Sequence, residues 1–256
     1  YSQSMVNEIL LKYKLKRNFV GLYSRNSLYV EKNNLNDKNF HGWRDFDFED
    51  FKLAINFLKN QNSIIKLGES YLEENFEHFK TKIFTSLDFN SNEEVDYILN
   101  AYSRYNVMGD SGVSGISSML RKKIVYVNLI PLTLERLSYC SPGSIILPKK
   151  IYDLKKSRYL TFLEHLEINF SLHSINNPYE ENNLKVINNS PEDILDAIVE
   201  MENKIKNISN DNESIRLNEL FWKNISKLDY DKVNYLKDKL KLTISSSFLK
   251  KNQDLF

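Results

Sequence analysis

Four consecutive residues, Gly109-Asp110-Ser111-Gly112, carry the sharpest chemical signal in the sequence. They follow the apolar run Tyr-Asn-Val-Met at 105–108 and precede a stretch with helical spacing at 113–120. A helix start leaves backbone amides unpaired and carries the positive end of the helix dipole, so a strand-turn-helix of this kind is an anion site. Gly112 lets a ligand approach the backbone. Ser111 adds a hydroxyl, and the amides of Ser111, Gly112 and Val113 are its natural partners. The plainer reading is a tight turn capped by Ser111 or Asp110. The two are compatible, and phosphate binding ranks ahead because a cap does not need two flanking glycines.

The sequence holds 27 Lys but only 8 Arg, which makes each Arg more informative, because Arg reads phosphates and carboxylates in a bidentate way that Lys does not. Arg25 directly follows the apolar run at 19–24, with Ser24 beside it. There it reads as a diphosphate clamp facing the same crevice as Ser111, or more plainly as a surface Arg at a strand end. Arg44 sits in Gly42-Trp43-Arg44-Asp45, and an ion pair with Asp45 or Asp47 is the preferred reading. Arg17, Arg121, Arg136, Arg158 and Arg216 read as solvated.

Other chemistries fit less well. A nucleophile elbow needs Gly-x-Ser-x-Gly, and neither Ser111 nor Ser114 satisfies it. The only histidines are His41, His78, His165 and His173, and His165 reads as a helix-surface residue. Asp45-Phe46-Asp47 and Asp229-Tyr230-Asp231 spell the Asp-x-Asp of metal-dependent glycosyltransferases, but neither follows an expected strand. Asp45 and Asp47 are better explained as caps of a helix at 48–60. No metal site is predicted.

The elements that must position these residues follow from periodicity. An amphipathic helix is expected at 1–17 and strands at 19–24, 63–68, 82–87, 105–108 and 123–128. Helices are expected at 48–60, 73–80, from Ser91 to 104, and 113–120; residues 26–43 read as loop. This alternation predicts an α/β fold, a Rossmann-like doubly wound parallel sheet with extra C-terminal helices. Such sheets bind ligands beyond the carboxyl ends of their strands. That singles out Ser24, Arg25, Gly68, Gly109 to Gly112, Asn128 and Pro131. Further on, a helix is expected at 160–169 and a loop at 173–189. Ser190-Pro191-Glu192-Asp193 reads as a helix start, with the helix running to 207. Another helix is expected at 213–227, and residues 236–256 are expected to fray.

Composition sets the outer limits. The chain has 256 residues and a formal charge of +1, which gives no field to attract nucleic acid or an anionic membrane. One cysteine, Cys140, excludes an internal disulfide framework and a Cys-based zinc site. No apolar run approaches a membrane span, and no signal peptide is visible. The first residue is Tyr rather than Met, so the start is expected to be a truncation.

Taken in order, these pieces resemble a family of bacterial surface-polysaccharide (capsule-type) glycosyltransferases. Val20-Gly21-Leu22-Tyr23-Ser24-Arg25-Asn26-Ser27 with Tyr29 resembles its first donor-binding motif, and Trp43-Arg44-Asp45 its Tyr-Arg-Asn element. Ile64-Ile65-Lys66-Leu67-Gly68 resembles its second strand, with Lys66 where the family has Arg. Asp96-Tyr97-Ile98-Leu99, the Ser111 loop, Val127-Asn128-Leu129-Ile130-Pro131-Leu132 and Asn189-Ser190-Pro191-Glu192-Asp193-Ile194 continue the match to Phe221-Trp222. The layout is also similar to the nucleotide-sugar half of the GT-B fold, as in protein O-fucosyltransferases and heptosyltransferases.

The resemblance implies a metal-independent transferase using a nucleotide-sugar as substrate, with no cofactor, and a glycan acceptor. Arg25 would be the catalytic cation. Ser24, Arg44, Gly68, Asp110, Ser111, Gly112 and Val113 would hold the donor and its phosphates. Asn128, Pro131 and Leu132 would line the base or sugar pocket, and Glu164, by position only, would touch a sugar hydroxyl. It further implies residues 1–18 as a helix left from a preceding domain, 19–210 as the nucleotide-sugar domain and 211–256 as a helical extension. A cytoplasmic protein at the inner face of the membrane is expected, with no transmembrane segment. The missing partner domain would span on the order of 100 residues or more. The alternative is a catalytically silent binding or assembly module of a polysaccharide machine.

Overall fold

The structure is a computed structural model that describes residues 3–25, 41–69, 75–89, 93–168, 170 and 177–256. Seven strands form one parallel sheet: β1 (Phe19–Tyr23), β2 (Ser63–Lys66), β3 (Ile83–Phe84), β4 (Tyr105–Met108), β5 (Ile124–Leu129), β6 (Ile145–Pro148) and β10 (Thr243–Ile244). Their order across the sheet is β3-β2-β1-β4-β5-β6-β10. The runs Phe-Val-Gly-Leu-Tyr, Ser-Ile-Ile-Lys and Ile-Val-Tyr-Val-Asn-Leu are buried almost throughout, as a sheet covered on both faces requires. Helices Lys52–Leu58 and Pro191–Ile205 pack on each other, and Glu93–Tyr102 packs on Gly112–Met119.

The order reverses at β1. The chain leaves β1 for β2 and β3 on one side, then returns to β4 on the other. The carboxyl ends of β1 and β4 therefore flank the crevice in which such sheets bind ligands. The crevice is built tightly. A Cβ on Gly21 would collide with the Asn106 side-chain oxygen and lie 2.5 Å from Leu67. Asn106 is the one polar residue on β4 and is fully buried. Its Nδ2 donates to Ser117 Oγ at 3.0 Å and to Asn100 Oδ1 at 3.2 Å, and Ser117 Oγ donates to Asn100 Oδ1 at 2.5 Å. This triad ties both neighbouring helices to β4.

A second, antiparallel sheet stands beyond the carboxyl ends: β7 (Lys150–Asp153), β8 (Arg158–Tyr159) and β9 (Leu184–Ile187), in the order β8-β7-β9. Lys149 alone separates β6 from β7. The small sheet has its own core, in which Ile151, Leu160, Tyr179 and Leu184 enclose Trp43 and Ile130.

Several expectations are corrected. The loop expected at 173–189 holds helix Pro178–Glu181 and β9, while 173–176 lie outside the described residues. The segment expected to fray instead adds β10 to the main sheet and docks Phe248 and Leu249 in the core. Residues 48–60 divide into a 3-10 turn, Phe48–Phe51, and helix Lys52–Leu58. The helix expected at 73–80 is a 3-10 turn, Glu77–Phe79, with 73–74 outside the described residues. The helix expected at 1–17 is described as Gln3–Lys12. Ser91, Asn26, Ser27 and Tyr29 also lie outside the described residues. Ser190 caps the helix Pro191–Ile205 as expected, its Oγ accepting from the Asp193 amide at 3.2 Å. Among the described residues no helix is long and apolar enough to cross a membrane.

Candidate functional site

At the end of β4 the chain turns sharply into helix Gly112–Met119. Gly109 is required here, because a Cβ would lie 2.7 Å from the Phe46 ring. Gly68, at φ +76°, does the same beside β1, where a Cβ would lie 2.8 Å from the Tyr23 ring. Ser111 is the N-cap. Its Oγ accepts from the Ser114 amide at 3.2 Å, and the Ser111 amide donates to Ser114 Oγ at 3.0 Å. The reciprocal cap corrects one expectation: the Ser111 amide is already committed. The Gly112 and Val113 amides have no acceptor among the described residues. A Cβ on Gly112 would meet nothing within 4 Å, so the chain is open to approach on that side.

Four cations gather around this turn. Arg25 Nη1 donates to the His41 carbonyl at 3.0 Å and pairs with the Asp45 carboxylate. Arg44 Nη2 donates to Asp110 Oδ2 and to the Asp110 carbonyl, each at 2.7 Å. Arg136 pairs with the other oxygen of the same carboxylate. Lys149 Nζ donates to the Trp43 carbonyl at 2.8 Å and the Asp45 carbonyl at 2.9 Å. The Asp110 side chain is only 7% exposed, while those of Arg25, Arg44 and Arg136 are 15%, 17% and 27% exposed, so water screens this cluster weakly.

Arg25, Arg44 and Arg136 thus share two carboxylates, Asp45 and Asp110, while Lys149 bonds backbone carbonyls and feels the Asp45 and Asp50 charges without an ion pair to either. Burial, then the Arg25 charge, pulls the Arg44 guanidinium down to about 10. Burial, then Arg44, does the same to Arg136, also to about 10. Burial draws the Lys149 ammonium down to about 8. The Asp45 carboxyl is raised by burial, with Arg25 opposing. Each cation disfavours its neighbours, and a bound anion would relieve all of them. Arg44 Nε and Ser24 Oγ are buried there without a hydrogen-bond partner among the described residues.

The structure therefore brings together Ser24, Arg25, Arg44, Asp110, Ser111, Gly112 and Val113, with Gly68 packed behind Tyr23. It changes the partners within that group. Arg44 pairs with Asp110, not with Asp45 or Asp47. Asp45 does not cap the segment at 48–60; its side chain holds Arg25, while Asp47 stands at the start of the 3-10 turn without a side-chain cap bond. Arg136, read as solvated, and Lys149, not singled out, are the residues sequence reasoning missed. For Arg136 the one available signal was the scarcity of Arg.

Asn128 and Pro131 stand apart. Asn128 is 1% exposed and exchanges two bonds with Asn189: its amide donates to Asn189 Oδ1 at 2.6 Å, and its Oδ1 accepts from the Asn189 amide at 2.7 Å. That bridge ties β5 to the start of helix Pro191–Ile205, so the Asn128 oxygen is not free for a ligand. Pro131 follows a cis peptide bond and is half-buried, and Leu132 lies wholly in the core. Glu164 is engaged by Arg158 at 2.5 Å and by the Thr161 amide at 2.9 Å, which holds its carboxyl down to about 2. His165 is buried rather than on a helix surface, and desolvation keeps it neutral.

Two cavities adjoin the cluster. The smaller, about 210 Å³, is lined by Asp110, Ser111, Ser114, Tyr126, Arg136 and Cys140. The larger, about 650 Å³, opens between the turn at Trp43 and the small sheet, and Asp45 and Lys149 line it. Among the described residues no group of three or more His, Cys, Asp or Glu is placed to hold a metal ion. Comparison with protein-family models, with curated proteins and with solved structures returns no match.

Proposed function

We propose that this chain is the donor-binding domain of a metal-independent, GT-B-type glycosyltransferase that transfers a sugar from a nucleotide-sugar to a surface-glycan acceptor. The observation that carries the reading is the surplus of cations at the topological switch point, beside two unpaired amides of a helix start. A diphosphate supplies the negative charge this arrangement lacks. The resemblance of the motif order to capsule-type glycosyltransferases supplies the sugar.

In this reading the Gly112 and Val113 amides and the Ser111 hydroxyl hold one phosphate. Arg25, positioned by Asp45, holds the other. On transfer, the bond between the anomeric carbon and the diphosphate oxygen breaks, and the electron pair leaves with the nucleoside diphosphate. Arg25, Arg44 and Arg136 stabilise that developing charge in place of a metal. The acceptor oxygen bonds to the anomeric carbon and its proton departs to a base. The small cavity beside Tyr126 and Arg136 takes the nucleoside. The protein would act in the cytoplasm at the inner face of the membrane.

A second reading is a catalytically silent binding module. It is favoured by the pairing of Asp45 with Arg25 and of Asp110 with Arg44 and Arg136, which leaves neither carboxylate free as a base. Calorimetric titration with nucleoside diphosphates and their sugars tests both. The absence of binding by any of them overturns the shared nucleotide reading. Binding without transfer to polysaccharide, even within the full gene product, selects the silent module.

A further inference from the structure

The larger cleft is lined by a mixture that suits neither an anion nor a purely apolar ligand. Asn183 and Asn188 bring uncharged amides, while Glu180 and Lys185 carry charges that cancel. The side chains of these four residues have no hydrogen-bond or ion-pair partner among the described residues, and all four are exposed. Lys149 has placed two of its three N–H donors, on the Trp43 and Asp45 carbonyls, and the third has no acceptor among the described residues. Leu154 and Trp43 add apolar surface to the same walls.

This is the complement of a saccharide, whose hydroxyls both donate and accept and whose C–H faces need apolar contact. The volume, about 650 Å³, falls within the roughly 300–1,000 Å³ of small-molecule sites. We infer that the cleft is a saccharide subsite for an uncharged pyranose unit. Its saccharide class rests on the lining alone. Its place in catalysis rests on the nucleotide-sugar reading above, through Asp45 and Lys149, which belong to both the cleft and the cation cluster. The sugar is either the donor's own or the end of the acceptor glycan.

The test is saturation-transfer NMR on the full chain with a panel of neutral methyl hexopyranosides and methyl N-acetylhexosaminides. At least one glycoside gives a signal with the wild-type protein. Asn188→Trp fills the cleft and abolishes it, with folding checked by circular dichroism. Glu180→Ala, a milder change on an exposed position, weakens binding about tenfold, the worth of a charge-assisted hydrogen bond. No signal from any glycoside, or a signal unchanged in both cleft variants, overturns the inference. Displacement of the glycoside by a nucleotide-sugar but not by its nucleoside diphosphate assigns the donor sugar. Simultaneous binding of both assigns the acceptor. Should no nucleotide bind at all, the nucleotide reading fails on its own and the glycoside result still decides the cleft.

Discussion

Strand β4 carries a buried ion cluster at each end, and the two are built differently. At the amino end, Arg104 meets Glu202 at 3.0 Å, one guanidinium on one carboxylate, with Lys206 farther off at 3.8 Å and half exposed. Glu202 is 4% exposed, and the Tyr105 hydroxyl beside it is pushed up by burial and by the carboxylate charge. At the carboxyl end, Arg25, Arg44 and Arg136 share Asp45 and Asp110, Lys149 sits on the Trp43 and Asp45 carbonyls, and two cavities open beside them. The amino end is a one-to-one ion pair, although the Glu202 oxygens and the Tyr105 hydroxyl are buried there without a hydrogen bond among the described residues. The carboxyl end is left positive, and such a surplus in a weakly screened place is costly unless something outside the chain completes it. One strand thus separates a one-to-one ion pair from a cluster with more cations than carboxylates, which in the proposed function is completed by an anion.

The comparison breaks first at its amino end. Glu202→Gln should destabilise the fold by about 3–5 kcal/mol, the cost of leaving one buried partner unpaired. Urea unfolding measures this, and a change below about 1 kcal/mol would mean that the pair is not buried in solution. Added pyrophosphate should not rescue this variant.

Asp110→Asn at the other end should cost about 1–3 kcal/mol, because Arg44 and Arg136 then face each other without their shared carboxylate. Here pyrophosphate should restore stability, since a ligand that binds the folded state stabilises it by mass action. Equal response of the two variants to pyrophosphate would erase the distinction between the ends.

The smallest effect is on pH dependence. Lys149, drawn down to about 8 by burial, loses its charge as the pH rises through that value. Only the protonated ammonium attracts a phosphate, so affinity for a nucleoside diphosphate should fall between about pH 7 and 9, by about tenfold for one charge-assisted contact. The linked effect on folding has the opposite sign: a buried lysine with a depressed value adds stability as pH rises from about 8 toward the unfolded value near 10.4. Lys149→Gln should flatten both curves over that window.

Much of the fold was legible in the sequence because strands buried on both faces write themselves as unbroken apolar runs. The run at 105–108 is β4 residue for residue, and Gly109-Asp110-Ser111-Gly112 marked its turn. The small sheet was not legible. Its strands are short and half-exposed, and β9 lies in an Asn-rich stretch whose composition reads as loop. Strand β10 escaped because only two residues pair, at a sheet edge set by long-range packing. In the site, the residue types after β1 and β4 were enough to find Arg25 and the Ser111 turn. The pairings were not. Asp45 had a nearby helix to cap and a nearby Arg44 to bind, and the fold gave it Arg25 instead. Arg136 lies on helix Leu134–Ser138, and nothing local shows that this helix returns to Asp110. Ion pairs between segments depend on where the chain goes between them, and residue spacing does not record that.

The claim at the centre of this account is that the cluster at the carboxyl end of β1 and β4 binds a diphosphate through Arg25. Calorimetric titration of nucleoside diphosphates into the wild-type chain and into Arg25→Ala tests it most directly. The account predicts saturable binding of at least one nucleoside diphosphate by the wild-type chain, weakened about 10- to 100-fold by the substitution, as one or two charge-assisted hydrogen bonds are lost. Wild-type protein that binds none of them, or a variant that binds as tightly as wild type, would contradict it.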